Sequence, residues 1–511
     1  TMPLNADSII LGPWHGGVRY DIPVEEAKAH ELSDMGNTRI GTGGQVITRP
    51  GTDSFNDLLP VNSAAALLMC AEYNVTAETT QTVIVAGNKI YDYSSNVWTD
   101  RTNGLTVTVA SDNTFEWADA NGTLVATNGV DVNAFKMSGG VATALDDNSR
   151  FSKGKHIAWF DNRLWIGNVD GATSQLWYSD TADIETWGGT SFFNFGGYIT
   201  GLQATQNALT VHTSDGIYTL YPTGNATIPY NPQKETERAG IDGRSIATLP
   251  DDLQVMVLSD GIYEWRGGAT LEKVSNALDG GYWPLLDLDR LHKAHAVRFP
   301  KESEIWFFLP FKGENSSQAA MNNIMVYNYR KRTTVNGRDV GTWHGPYDGF
   351  ERNCSALINN KVHAGDFGGQ LLDHDDNDNS DQGVAIAATF TTGAPAPLGA
   401  DVKVRWLNGR YFYDGEGNYE IDVFQEGTDV EGTAEKLDMI GEGFILDVSL
   451  LDITELRGID QLVQDLGLQG YTPECSVRFS HGVNNQPFTI RRCVLRYKPL
   501  GRFTKPKPVD L

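Results

Sequence analysis

Apolar and polar residues alternate in short runs along most of this chain, and nearly every run ends at Asn, Asp or Gly. TVIVAGNKIYDYSSNVW from Thr82, LTVTVASDNTFEWADANGTLVATNGVD from Leu105 and HIAWFDNRLWIGNVD from His156 show the pattern. A period of two turns one face of an extended segment inward and the other outward, and Gly or Asn accepts the positive φ that a tight hairpin turn demands. Antiparallel strands joined by tight turns are therefore expected. Outside the carboxy-terminal part, helical character is expected near residues 285–295 and, as a short stretch, near residues 23–32.

Two of the runs resemble one another. VHTSDGIYTLY begins at Val211 and VMVLSDGIYEWRGG at Val255, which sets Asp215 and Asp260 forty-five positions apart. A unit of about 40 to 50 residues made of four short antiparallel strands is the period of a β-propeller rather than of a helical solenoid. SEIWFFLPF from Ser303, NIMVYNYRKRTTVNGRDVGTWHGPY from Asn323 and KVHAGDFGGQLLDHDD from Lys361 supply further blades. A propeller of about six or seven blades takes up roughly 300 residues as one domain, and the chain has 511.

After Gly383 the alternating runs lengthen into ATFTTGAP, KVRWLNGRYFYDG and NYEIDVFQEG, which suits a β-sandwich of about 100 to 130 residues. The expected fold is all-β. Residues 1–62 form an extended amino-terminal section that completes the propeller, residues 63–382 the β-propeller, and residues 383–511 a β-sandwich with an insertion near 431–470. Inside that insertion TELRGIDQLVQDLGLQG resembles a short amphipathic helix or a mobile segment.

A formal charge of −25 argues against a protein that grips nucleic acid by neutralising phosphates, because such binding gains affinity from counterions released at clustered Lys and Arg. It suits a conduit, whose acidic wall would repel phosphate and keep a duplex from adhering. Cys70, Cys354, Cys475 and Cys493 show no CxxC spacing and are too sparse for a disulfide framework, so free thiols in a reducing cytoplasm are expected. The amino terminus lacks the basic region of a signal peptide. The best apolar run, residues 64–70, is far short of the roughly 20 residues a membrane helix needs, so no membrane-spanning segment is expected.

Taken in order, several strings resemble the propeller proteins at the tail end of short-tailed bacteriophages, called tail nozzle, tail tubular protein B or hub. The carriers are GGV at Gly16 with GGQVITRPGT, VATNGVD at Val125, and NRLWIGN followed by LWYSDTADIETW. They continue with SDGIYEWRGG, IWFFLP with NIMVYNY and the following Trp343, and HAGDFGGQLL. The resemblance implies a virion structural protein with no enzymatic activity and no cofactor, made in the host cytoplasm and built into the tail. Such a subunit belongs to a ring, usually sixfold, below a tail adaptor protein, and extends the channel that retains or conducts the genome. DNA would pass without specific binding, and tail fibres or a needle would be further partners, although no inserted platform for fibres is evident. A closed ring needs only two complementary faces on each subunit. The alternative is a carbohydrate-binding or glycan-hydrolysing propeller of a host-recognition device, since 12 Trp and 19 Tyr offer stacking faces. Against hydrolysis, neither SDGIYTLY nor SDGIYEW fits the S-x-D-x-G-x-T-W box of sialidase-type propellers.

The stretch that most invites a chemical reading is DHDDNDNSD at 373–381. Asp373, Asp375 and Asn377 alternate in a way that would present oxygens to a hard cation such as calcium. Counted from Asp373, however, an EF-hand would need Gly where Asp378 stands and a bidentate Glu where Val384 stands. A solvated acidic loop is the plain reading, and as part of a channel wall it would contribute Asp373, Asp375, Asp376, Asp378 and Asp381. His292 and His295 would share a helical face without a third ligand. GTGGQV from Gly41 lacks the Lys and Ser/Thr of a phosphate loop, so its glycines belong to a turn. Trp98, Trp117, Trp165, Trp177, Trp187 and Trp265 are expected mostly in the core. The basic end, Arg491, Arg492, Arg496, Lys498, Arg502, Lys505 and Lys507, would touch DNA or an acidic neighbouring subunit.

Overall fold

The computed structural model describes residues 7–55, 66–108, 114–131, 134–145, 150, 153–312, 321–335, 337–349, 351–376, 379–414, 420–426, 434–438 and 462–502. Among them helix occurs only as short 3-10 turns, and everything else of regular structure is strand. The chain is an all-β propeller protein with two additional, larger sheets.

Six four-stranded antiparallel meanders follow one another over residues 67–100, 116–144, 154–194, 199–236, 246–273 and 295–347. A further sheet begins with Cys354–Ile358, Lys361–Gly365 and Leu371–Asp376 and takes its fourth strand, Gly51–Ser54, from the amino-terminal section. The first strands of successive sheets stand side by side. Asn168 Nδ2 donates to the Ile199 carbonyl at 2.8 Å, and the Phe115 amide donates to the Leu68 carbonyl at 3.0 Å. Between the last sheet and the first, the Leu67 amide reaches the Asp366 carbonyl at 3.0 Å, and Asn353 Nδ2 reaches the Leu67 carbonyl at 2.8 Å. These bonds close the series on itself.

The copied SDG strings occupy the same place in consecutive sheets. Ser214 and Asp215 form the two-residue turn between Leu209–Thr213 and Gly216–Pro222, and Ser259 and Asp260 do so between Gln254–Leu258 and Gly261–Trp265. In each, the tyrosine three residues on donates back to the aspartate, Tyr218 to Asp215 at 3.1 Å and Tyr263 to Asp260 at 2.8 Å. A cation covers each ring: Lys234 lies 5.8 Å from the Tyr218 centroid, and Arg238 4.7 Å from that of Tyr263.

Among the described residues of the amino-terminal section, Gly51–Ser54 is the strand that joins the propeller. Asp7–Leu11, Thr38–Ile40 and Val46–Thr48 enter one of the larger sheets, beside Thr489–Arg502, Val402–Asp414 and Leu462–Gly467. Leu32–Gly36 enters the other, beside Ala388–Thr392, Ser476–His481, Glu420–Glu426 and Ala434–Asp438. The two sheets share a core in which Phe390 stacks on Phe479 at 4.6 Å and Tyr411 meets Phe479 edge-on at 5.7 Å. That core is continuous with Val257, Phe307 and Trp343 of the propeller. The GGV string is the crossing point. Gly17 sits at φ +75°, and a Cβ there would lie 2.7 Å from the Trp343 carbonyl, which accepts from the Val18 amide at 3.1 Å.

Two helical expectations change. Near residues 285–295 the chain forms 3-10 turns at Trp283–Leu285 and Leu288–Lys293, separated by the extended backbone of Leu286 and Asp287, and then enters strand His295–Phe299. Within the insertion, Leu462–Gly467 is a strand paired with residues 408–413 and not part of a helix, because its alternate side chains extend a sheet edge. Arg410 fixes that register through Asp465 at 2.7 and 2.8 Å. The expected stretch near residues 23–32 is a single 3-10 turn, Val24–Glu26.

Candidate functional site

The first strands of the propeller sheets surround an axial cavity of about 630 Å³. Its wall comes from every sheet: Cys70, Trp117, Trp159, Gln203, Thr248, Arg298 and Ser355 each lie on or beside a first strand. The alternation of the strands decides which side chains reach it. In His295–Phe299 the residues His295, Val297 and Phe299 are buried, whereas Ala296 and Arg298 are half-exposed. In Cys354–Ile358 the half-exposed positions are Ser355 and Leu357.

Most charges at this wall are satisfied within the chain. Glu116 Oε1 lies 2.9 Å from Nδ1 of the buried His156. Asp119 Oδ2 accepts from the Asn74 amide at 2.9 Å and from Asn74 Nδ2 at 3.0 Å. Arg244 Nε donates to Asp242 Oδ1 at 3.1 Å, and Lys155 Nζ stands 3.8 Å from Asp242 Oδ2. Burial and the Arg244, Lys155 and His156 charges act on Asp242 in opposite senses, and the charges prevail, so its carboxyl is held below the usual range.

Arg298 is the exception. Its guanidinium has no hydrogen-bond or ion-pair partner among the described residues, and its Nε is buried. Ser355 Oγ, on the first strand of the neighbouring sheet, is likewise buried and unpartnered. His295, three residues before Arg298, stacks on Phe308 at 4.6 Å and leaves Nε2 without a partner. Burial, seconded by the Arg244 charge, pushes its imidazole down to about 3, so it is a neutral ring.

The acidic stretch chosen from sequence lies elsewhere. Asp373 is in strand Leu371–Asp376, not in a loop, and its carboxylate accepts from Lys361 Nζ at 2.5 Å. Asp375 and Asp376 belong to the same strand, and Asn377 and Asp378 lie outside the described residues. Asp381 takes both ends of the buried Arg49 guanidinium, at 2.9 and 2.5 Å, and the Thr52 hydroxyl at 3.0 Å. Of the oxygens proposed for a cation, those of Asp373 are engaged by Lys361, and no cluster of three metal-ligating side chains occurs among the described residues.

His292 and His295 do not share a face: His292 is exposed and bonds the Asp289 carbonyl, whereas His295 is buried at the start of a strand. GTGGQV forms the turn between Thr38–Ile40 and Val46–Thr48. Five of the six selected tryptophans are core; Trp117 is half-exposed and lines the cavity. At the basic end, Arg491 pairs with Asp414 of its own chain at 2.8 Å and Arg492 covers Phe412 at 4.2 Å, while Lys505 and Lys507 lie outside the described residues. Arg298 escaped sequence reading because an arginine in HAVRFP carries no motif. The available signal was a charge on the half-exposed alternation of a run otherwise apolar.

No protein-family model matches the chain, and no curated protein matches it. Among solved structures it is similar to BamB from Moraxella catarrhalis at 14% identity, with a TM-score of 0.39 and 64% of this chain and 97% of that one covered. A chain of the Mitotic Checkpoint Complex is similar at 13% identity and TM-score 0.41, covering 66% and 96%. The computationally designed Ika8 protein gives 14% identity and TM-score 0.35, covering 62% and 98%. The order and closure of the sheets in this chain remain the basis of the propeller assignment.

Proposed function

We propose that the chain is a structural subunit of a ring in the tail of a short-tailed bacteriophage, built as a seven-bladed propeller backed by a β-sandwich. The observation that carries this reading is the way the amino-terminal section staples the two parts together. Its strands serve both, and two buried arginines hold it to the propeller sheets. Arg39 meets Glu304 at 3.0 Å and Arg49 meets Asp381, while Arg19 and Glu31, 2.9 Å apart, brace the section internally.

A staple of this kind suits a load-bearing part. Packed interiors transmit strain instead of absorbing it, so a push on one part is passed to the other. The resemblance in GGV, GGQVITRPGT and HAGDFGGQLL supports the reading too, because those strings fall at the crossing, at the staple and in the closing sheet. The mechanism is mechanical and electrostatic. Complementary faces close the ring, and the excess of carboxylates over cations disfavours adhesion of a passing duplex.

Light scattering tests it directly. The purified chain is measured alone and mixed with a tail adaptor ring, and a particle holding about six copies in the mixture is the expected result. A chain that stays monomeric and ignores the adaptor would sink the reading.

A further inference from the structure

We infer that the axial cavity is a binding site for a small acidic sugar, whose carboxylate is held by Arg298 and Ser355. A guanidinium drawn partly out of water without a carboxylate is costly, and a binding site keeps such a group when the ligand brings the missing charge. Arg298 stands in this position while the other charges lining the wall are engaged: Glu116 with His156, Asp119 with Asn74, Arg244 with Asp242. The Ser355 hydroxyl, unpartnered on the adjacent first strand, supplies a second donor of the kind a carboxylate oxygen takes.

The charge balance selects among anions. One free cation matches one negative charge, and the carboxylates of Glu116 and Asp119 on the same wall repel a more highly charged ligand such as phosphate. The remaining surface selects among carboxylates. Trp117 and Trp159 are half-exposed on neighbouring first strands and offer flat apolar faces, while Gln203 and Thr248 add polar groups. Indole faces beside amide and hydroxyl groups suit a sugar ring, which has apolar C–H faces and a polar rim. At about 630 Å³ the cavity lies within the roughly 300–1,000 Å³ of small-molecule sites. The site is formed by one chain and does not depend on ring assembly.

Isothermal titration of the full chain with sodium glucuronate, glucose and inorganic phosphate tests the assignment. Glucuronate should bind, with glucose and phosphate at least about tenfold weaker, as the loss of a charge-assisted pair predicts. Arg298→Gln should weaken glucuronate by at least about tenfold, and Ser355→Ala by a smaller factor. Because Arg298 has no partner among the described residues, the ligand-free Arg298→Gln protein should melt no lower than the parent, which separates lost binding from lost folding. Trp159→Ala should weaken glucuronate and glucose alike. Absence of glucuronate binding, phosphate or glucose binding as tight as glucuronate, or undiminished binding by both Arg298→Gln and Ser355→Ala would overturn the proposal.

Discussion

The propeller and the two larger sheets are made of similar strands by opposite rules. Each propeller meander is drawn from one continuous stretch of chain, apart from the closing strand Gly51–Ser54. In the larger sheets neighbours come from the two ends of the sequence: Leu11 pairs with Cys493, and Met35 with Phe390. Local pairing closes short loops at small entropic cost, whereas distant pairing must first bring the ends together. The propeller sheets should therefore behave as units that respond locally to change. The larger sheets should behave as one unit that forms or fails with the amino-terminal section.

Acid should break that comparison most forcefully, because deeply buried neutral histidines are concentrated in the propeller. His212, His295, His344 and His374 all lie in its sheets. Burial, opposed by a hydrogen bond to Gln254, holds His212 down at about 4, and burial with the Arg244 charge holds His295 at about 3. Burial also places His344 and His374 well below their usual range, with Arg39 assisting at the first and Arg352 at the second. An unfolded histidine titrates near 6.5, so below that pH the unfolded chain takes up protons the folded one refuses. This stability is complete above about pH 6.5 and is lost as the pH falls, roughly 3 kcal/mol through His212 alone by the time about pH 4 is reached. Hydrogen exchange followed by mass spectrometry at pH 7 and pH 4.5 should show propeller peptides losing protection before residues 388–414 and 476–502. Simultaneous or reversed loss would count against the histidines as the cause.

The next largest effect is expected at the joint between the two regions. Glu304, in a propeller strand, accepts from Arg39 Nε and Nη2 at 3.2 and 3.0 Å and from Trp306 Nε1 at 3.0 Å, all out of solvent. Burial pushes its carboxyl up while Arg39 pulls it down. Glu304→Ala leaves Arg39 with only the half-exposed Glu302 at 3.3 Å and should cost about 3 kcal/mol, the lower part of the range for a broken buried pair. Urea unfolding followed by probes in both regions should show the loss in both. Arg39→Met combined with Glu304→Leu should recover much of it, since an apolar pair need not be desolvated. A full loss in the double variant would mean that the joint depends on the charges themselves.

The same division governs what the sequence made legible. Strands, hairpins and the propeller period follow from local alternation and from turns such as Asp215-Gly216 and Asp260-Gly261, where every determinant lies within a few residues. The placement of Leu32–Gly36 and Val46–Thr48 in the larger sheets did not follow, because their partners stand at the far end of the chain and no local signal names them. Leu462–Gly467 carried the paired apolar and polar spacing of an amphipathic helix, and the edge of Val402–Asp414 drew it into a strand instead. At the candidate site the tryptophans were legible as a class. The decisive feature, a cation left without a carboxylate while the charges around it are engaged, exists only after folding. The acidic stretch was visible for the converse reason: its charges are consecutive, whereas Lys361 and Arg49, which engage Asp373 and Asp381, are distant in sequence or hidden in a turn.

A smaller and strictly local effect is expected at the copied turns. Gly216 lies at φ +148° and a Cβ there would sit 2.1 Å from the Thr236 carbonyl oxygen; Gly261 lies at φ +154° with the flexible end of Lys273 at 2.4 Å. Alanine is strained at both, but only at Gly216 does it meet backbone. Gly216→Ala should cost about 2–3 kcal/mol and Gly261→Ala about 1–2 kcal/mol in chemical unfolding. Exchange protection should fall in the affected sheet and stay unchanged in the larger sheets. Equal costs at the two glycines would show that backbone strain outweighs the carbonyl clash.

The smallest effect gives the sharpest test of independence between propeller sheets. Tyr218→Phe and Tyr263→Phe each delete one hydrogen bond to a partly exposed aspartate. Each should cost about 0.5–1 kcal/mol, with Tyr263 at the upper end. Its bond is the shorter, and Arg238 packs closer to its ring than Lys234 does to Tyr218. Because each bond is confined to its own hairpin, the double variant should lose the sum of the single losses within about 0.5 kcal/mol. At the joint, where Arg39 and Glu304 share one buried environment, the corresponding cycle should be strongly non-additive. A coupling between Tyr218 and Tyr263 as large as that at Arg39 and Glu304 would mean that strain crosses from sheet to sheet around the propeller. Its sheets would then be no more independent than the stapled ones.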